Sequence, residues 1–313
     1  MFRLNLRVTQ PMRLPPYKGS VLRGGFGSAF RRVACAQRAK DCSGCLVRPV
    51  CPYAYVFETS PPPDSAVLRN LKDVPRPFVI EPPEDDRTEY APGDELDFGL
   101  VLIGRGVEYL PFFIAAFKEL GRTGIGPLRA GFELVRVEQV GPGGGPRAVV
   151  YEGASGVVAA TASSLFRHCV GRVEVAAAAS ALGGDSVEVE FRTPTRLKAD
   201  SELRARPEFE ALVRAGLRRV SSLAYFHHGI SLDLDYAALV RAAREVRLRQ
   251  DRTRWVGWKR YSNRQERLMD LGGLVGTATF EGDIYAFRDL LVLSSLVHIG
   301  KNTTFGLGRV CVC

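Results

Sequence analysis

The chain starts with Met1-Phe2-Arg3-Leu4-Asn5-Leu6-Arg7, which alternates apolar and polar residues, and a first strand is predicted over 5–10. Gly19-Ser20 then opens a helix with Leu22, Phe26, Ala29, Phe30 and Val33 on one face. Gly24, Gly25 and Gly27 lie inside it, each costing ~1 kcal/mol against alanine. Glycines retained at that cost are read as permitting close backbone approach, to a sheet or to a ligand. Strands are predicted around 78–80 and 95–103, a helix over 109–120, and a strand over 132–140 that turns back at Gly143-Gly144-Gly145. Residues 154–184, rich in Ala, Ser and Gly, read as an interdomain region.

The second half repeats this order. A strand over 186–191 leads into Pro194-Thr195-Arg196-Leu197, the counterpart of Pro11-Met12-Arg13-Leu14. A helix over 208–227 faces Phe209, Leu212, Val213, Val220 and Leu223 inward. Strands over 255–261 and 271–280 precede a helix over 283–298, a glycine-rich loop and a last strand. The predicted fold class is α+β: two tandem ferredoxin-like (βαββαβ, RRM-like) domains, at 1–153 and 185–313, with a cysteine-rich insertion at about 35–51.

Composition narrows the setting. With 313 residues, 46% hydrophobic and 25% charged, the chain suits two ordinary folded domains. No apolar run approaches the ~18 residues of a membrane span, and the N-terminus lacks the apolar stretch of a secretory signal. Seven clustered cysteines do not make a disulfide scaffold, so a reducing cytoplasm is expected. The net charge of +9 is concentrated: from Arg192 to Arg267 there are 18 Lys/Arg against 9 Asp/Glu, which accounts for all of it. Arginine dominates this window, and Tyr225, Phe226, Trp255, Trp258 and Tyr261 are interleaved with it. Planar cations and stacking surfaces together suit a single-stranded nucleic acid, whereas a solvated basic face is the plainer reading.

Four motifs carry a family resemblance over nearly the whole chain. They are Leu22-Arg23-Gly24-Gly25-Phe26-Gly27, the cluster ending Cys51-Pro52-Tyr53-Ala54-Tyr55-Val56-Phe57-Glu58, Arg260-Tyr261-Ser262-Asn263-Arg264-Gln265, and His298-Ile299-Gly300-Lys301-Asn302-Thr303-Thr304-Phe305-Gly306-Leu307-Gly308. The chain resembles the CRISPR repeat-processing endoribonucleases of the RAMP superfamily, a part of antiviral defence. The resemblance implies metal-independent cleavage of a precursor transcript within its repeats, by 2′-OH attack that leaves a cyclic phosphate and a 5′-hydroxyl. It makes CRISPR repeat RNA the expected partner, for a monomer or homodimer without a membrane. Many relatives carry a catalytic histidine in or just after the first helix, and here residues 19–55 contain none. A competing reading is a non-catalytic RAMP-type RNA-binding subunit of a CRISPR interference complex. A third is a metal-stabilised nucleic-acid-binding regulator.

The residue types give each candidate a role. Gly300, Gly306 and Gly308 free backbone amides for a phosphate, Lys301 and Arg309 add charge, and Arg23, Arg260 and Arg264 complete the expected RNA contacts. His298 ends a helix next to that loop, where the negative helix terminus favours an imidazolium able to donate a proton; it also continues the stripe Ile284, Phe287 and Leu291 and would then simply pack. Tyr261 and His228 are the other catalytic candidates, with Tyr17 and Lys18 further back, whereas His227 continues an apolar stripe and His168 lies in a poorly patterned stretch. Cys35, Cys42, Cys45 and Cys51 have the spacing C-x6-C-x2-C-x5-C, which fits a structural zinc, with an iron–sulfur cluster as the alternative. Four thiolates leave no open position for a catalytic water, so no catalytic metal is expected.

Overall fold

A computed structural model of the chain describes residues 1–37, 42–59, 61, 74–158, 169–199, 202–262 and 267–313. They form two compact units: Met1–Val170 with Phe226–His228, and Gly171–Tyr225 with Gly229–Cys313.

The first unit contains β1 (Phe2–Val8), β2 (Met12–Arg13), α1 (Gly19–Ala34), α2 (Pro52–Phe57), β3 (Phe78–Glu81), β4 (Glu89–Tyr90), β5 (Glu95–Leu102), α3 (Leu110–Thr123), β6 (Phe132–Val140) and β7 (Pro146–Glu152). Its sheet is antiparallel in the order β3-β5-β1-β6-β7. Without the added edge strand β7, this is the second–third–first–fourth order of a ferredoxin-like βαββαβ unit. Alternation along β1 sends Phe2, Leu4, Leu6 and Val8 into the core and Arg3 and Arg7 outward. Phe26 of α1 is the hub of that core: its ring lies 4.7–5.6 Å from those of Phe30, Phe57, Phe78, Phe113 and Phe117. Such ring pairs add about 0.5–1.5 kcal/mol each beyond the area they bury. Gly25 explains one of the glycines of α1, since a Cβ there would sit 2.8 Å from Leu120 of α3. The close approach is therefore to a second helix, neither to a sheet nor to a ligand.

The second unit contains α4 (Arg172–Ala181), β8 (Ser186–Thr195), β9 (Lys198–Ala199), β10 (Glu202–Leu203), α5 (Phe209–Leu223), α6 (Tyr236–Glu245), β11 (Arg247–Val256), β12 (Lys259–Ser262), β13 (Arg267–Asp270), β14 (Gly273–Glu281), α7 (Arg288–Val297) and β15 (Val310–Val312). The order β11-β14-β8-β15 repeats the ferredoxin-like arrangement. Its core joins Val187, Val189 and Phe191 of β8 to Phe209, Leu212 and Val213 of α5 and Leu291 of α7.

Three features depart from the sequence expectations. Part of the segment read as interdomain is helix α4, which belongs to the second unit. The strand expected over 255–261 is two elements: β11, which starts at Arg247, and β12, after a break at Gly257. Helix α6 was not expected, although Asp235 caps it by accepting a hydrogen bond from the Ala238 amide at 2.8 Å.

Candidate nucleic-acid interface

The glycine-rich loop between α7 and β15 is fixed from within. His298, Gly300, Asn302, Gly306 and Gly308 all have positive φ. At Gly308 a Cβ would lie 1.8 Å from the Ile299 carbonyl oxygen, and at Gly300 2.6 Å from that of Arg196. These glycines serve backbone geometry first. The amides of Ile299, Phe305, Gly306 and Gly308 bond to other backbone carbonyls, and that of Arg309 bonds to the Thr193 hydroxyl, which donates in turn to the Gly306 carbonyl. The expectation that glycine frees these amides for phosphate is corrected to that extent. Lys301 is exposed at the tip, Arg309 is half-buried, and Thr303 and Thr304 are buried beneath.

His298 is 0% exposed, and its Nδ1 lies 3.1 Å from the Leu307 carbonyl oxygen. Its φ of 58° and ψ of 154° fall where glycine is at ease and other residues are strained by about 1–3 kcal/mol. In this structure His298 braces the loop and does not reach its surface. The expectation that it meets the scissile phosphate gives way to the packing role that its apolar stripe also implied. Arg219 supports the same point from α5: buried, it donates to the Val297 carbonyl at 3.2 Å, at the negative end of α7. Burial pulls its guanidinium down to about 10.

Arg196 joins this loop to the β12–β13 hairpin. Its backbone carbonyl faces Gly300, and its guanidinium bonds the Asp270 carbonyl and lies 3.8 Å from the Asp270 carboxylate, at the end of β13. Two motifs well separated in sequence thus share one anchor. The sequence signal for it is the Pro-Thr-Arg-Leu corner, which the internal repeat alone would explain. Arg260 and Tyr261 lie on β12, paired in register with Met269 and Leu268, while Arg264 and His168 fall outside the described residues.

The basic window sorts into two populations. Arg214 and Arg244 share Glu210, Arg192 pairs with Glu190, Arg204 with Glu208, and Arg206 with Asp251. These hold the fold together. By contrast, no ion pair engages Arg252 or Arg254 among the described residues. A bulge at Arg249 sets the register so that Arg247, Gln250, Arg252 and Arg254 face Glu281, Thr279, Thr277 and Val275 of β14. Arg252 and Arg254 are therefore an exposed pair on the sheet face turned away from the core. On that face the central strands carry Ser186, Glu188, Glu190 and Arg192 (β8) and Val275, Thr277, Thr279 and Glu281 (β14). The aromatic platform on which RRM sheets stack bases is missing from them. Trp255, 38% exposed, pairs with the buried Leu274 and so lies on the other face of the edge strand β11.

The remaining candidates sit in the first unit. Arg23 spreads its guanidinium over the Phe57 ring at 5.1 Å and is half-buried, so it serves the core rather than standing free for RNA. Lys18 is wholly buried and bonds the Asp85 carboxylate at 2.8 Å and the Asp85 and Pro16 carbonyls, which removes it as a proton carrier. Burial raises the Asp85 carboxyl, but the bond and charge of Lys18, with the Arg87 amide and Tyr90 hydroxyl, hold it below the usual range. His227 is buried in the π-helical turn Ala224–His228, its ring nitrogens 3.0 Å from the Tyr55 hydroxyl and 2.6 Å from the Pro75 carbonyl. Burial pushes that tyrosine up to about 12. His228, next to it, is exposed, and partial desolvation lowers its pKa from the ordinary 6.5. Cys35, Cys42, Cys45 and Cys51 line one small pocket between α1 and α2.

Residues 1–163 match a family of N-terminal domains, AF_1859_N, and residues 189–310 match the CRISPR-associated endoribonuclease Cas6 family. An uncharacterised protein of Archaeoglobus fulgidus is 26% identical over 202 residues, which are 64% of this chain and 63% of that relative, so the match spans less than two thirds of the relative's length. Among solved structures, a Cas6 product complex superposes with a TM-score of 0.56 at 15% identity, covering 100% of this chain and 98% of the other. A Thermus thermophilus Cas6 gives 0.53 at 14% identity, with 100% and 97% covered. At these identities the likeness is one of fold, and it runs through both ferredoxin-like units. Together with that likeness, the two family matches place residues 1–163 in the AF_1859_N family of N-terminal domains and residues 189–310 in the CRISPR-associated endoribonuclease family Cas6.

Proposed function

We propose that the protein cuts CRISPR precursor transcripts within the repeat, as a metal-independent endoribonuclease that works by 2′-OH attack. The observation that carries this reading is the anchoring of the glycine loop and the β12–β13 pair on Arg196, in the unit that matches Cas6 and that also holds arginines left out of the fold's own ion pairs. Arg252, Arg254 and Lys301, with Arg260 and Arg264, hold the RNA backbone; phosphate contacts of this kind position a strand without reading its sequence. The bare outer faces of β8 and β14 agree with that, since they offer no ring for base stacking.

Strand scission needs a group to take the 2′-OH proton, so that the oxygen attacks the adjacent phosphorus, and a group to protonate the departing 5′-oxygen. His228 fits the first role: it is exposed, and a lowered pKa leaves its imidazole neutral near pH 7. Tyr261 is assigned to orienting the 2′-OH or protonating the leaving oxygen. His298 acts as a positioning residue through the loop. The wholly buried His298 also favours a second reading, a non-catalytic RNA-binding subunit. Incubating the purified protein with end-labelled repeat RNA in EDTA decides between them. Discrete cleavage to a cyclic phosphate and a 5′-hydroxyl supports the enzyme. Tight binding without cleavage supports the subunit, and a preference for duplex DNA removes both.

A further inference from the structure

Residues 42–51, between α1 and α2, have an inverted burial pattern. Ser43, Gly44, Leu46, Val47, Pro49 and Val50 are exposed, whereas Cys42, Cys45, Arg48 and Cys51 are the half-buried positions. Leu46 and Val50 are 89% and 77% exposed. Burying such side chains is worth about 1.5–3 kcal/mol each, and this lobe forgoes it. No side chain of the segment is fully buried. In place of a hydrocarbon core there is the small pocket, lined by Cys35 from the end of α1 and by Cys42, Cys45 and Cys51, with Arg48 among them. Backbone bonds from the Cys45 amide to the Cys42 carbonyl (3.4 Å) and from the Arg48 amide to the Cys45 carbonyl (3.0 Å) curl Cys42-Ser43-Gly44-Cys45 into a tight turn. That turn brings two sulfurs to the pocket from one short stretch.

We propose that these four cysteines bind one zinc ion as a structural tetrathiolate centre. As they stand, the sulfurs surround the pocket without closing on it: among the described residues, no three His, Cys, Asp or Glu side chains are grouped to hold an ion. Binding draws the thiols to ~2.3 Å from the metal and releases their protons, because the ligand is the thiolate. Four thiolates around a divalent ion carry a net charge of −2, and the Arg31 charge that acts on the Cys42 thiol offsets part of it. With all four positions taken by sulfur, the centre holds no water for hydrolysis, so its task is mechanical. It fastens the end of α1 to the start of α2, and α2 carries the Tyr55 that holds His227. An ion of this kind supplies what the lobe lacks in apolar burial.

The test is elemental analysis of the full chain, purified under reducing conditions without a metal-affinity step. About one zinc per chain is expected. Cobalt(II) exchanged into the protein is expected to show the intense absorption of tetrahedral thiolate coordination. Cys42→Ser and Cys45→Ser should each lower the bound zinc by ~10-fold or more, while Cys313→Ser, at an exposed position outside the pocket, should keep it. If a variant fails to fold, the wild-type stoichiometry and cobalt spectrum still decide. Absence of metal together with absence of the cobalt spectrum overturns the proposal. So does iron with acid-labile sulfide, or free reactivity of all four thiols in the native protein. None of these readouts depends on RNA cleavage, so the proposal and the enzymatic reading stand or fall separately.

Discussion

After the second helix of the first unit the chain turns back through residues 124–131, closed by the bridge between Ile125 and Ala130. At the same topological point the second unit takes residues 298–309 and bends the backbone through five positive-φ positions, against three in the first. The first turn is a joint: Gly124 is pressed against the Arg129 carbonyl, where a Cβ would lie 1.9 Å away. The second is a built loop, with a strained histidine and two threonines packed beneath an exposed lysine. Each unit holds cations of both kinds, and in the first Arg7, Arg13 and Arg129 are exposed and in no ion pair among the described residues. In the first unit Lys18 is taken up by Asp85, and Arg23 by the face of Phe57. In the second, Arg252 and Arg254 are left outside the ion pairs of the fold. One topology thus supports a tight joint in one copy and a longer, internally braced loop in the other, and the difference lies in loop length and in the number of positive-φ positions.

The largest effect is expected at His228, which groups with the first unit and so limits how far the two copies differ in function. His228→Ala is expected to lower the single-turnover cleavage rate by ~10²-fold or more while leaving repeat-RNA affinity intact. A base with a lowered pKa is active once deprotonated. The wild-type rate should therefore rise through a midpoint below 6.5 and stay flat from there to neutral pH, and the variant should lose that acidic limb. A variant whose rate and pH profile match the wild type removes His228 from the chemistry.

A direct comparison of the two loops comes next. Gly308→Ala forces a Cβ against the Ile299 carbonyl at a φ of 75°, and is expected to weaken RNA binding by ~10²-fold, about 2.7 kcal/mol. Gly126→Ala, also at a φ of 75°, should cost stability in thermal unfolding but leave affinity unchanged. Equal effects on affinity would erase the distinction.

The arginine face offers a smaller effect. Replacing Arg252 and Arg254 together by alanine should lower affinity by ~10-fold and flatten its dependence on salt, at about 0.7 in the log–log slope for each phosphate no longer neutralised. Replacing Arg214, which pairs with Glu210, should move the unfolding temperature and leave the slope alone. A salt slope insensitive to the double change places the RNA elsewhere.

The smallest effect is expected at His298. His298→Gly relieves a backbone conformation that only glycine adopts readily, but removes the imidazole bonded to the Leu307 carbonyl. Stability should stay within about 1 kcal/mol of wild type, with affinity lowered a few-fold. A drop of ~10²-fold in the chemical step at saturating RNA would restore His298 as a catalytic group.

Period-two alternation in β1, β6 and β8 and the helical stripes of α1, α3 and α5 made the repeated topology legible in the sequence, because burial on one face constrains every second or every third to fourth residue. Strand β11 was not legible beyond its aromatic end: its arginines show no apolar period when a strand lies at a sheet edge with both faces largely wet. The four cysteines, the glycine loop and the excess of arginine were likewise visible as residue types. Which arginines are spent on Glu210, Glu190 and Asp251 and which stand outside such pairs was decided by the tertiary structure, since ion pairs join residues that the chain brings together only on folding. The same holds for His298 and His228. Both are imidazoles with ordinary intrinsic chemistry; the fold buries one behind a loop and leaves the other at the surface, and access to substrate is a property of packing that no local pattern encodes.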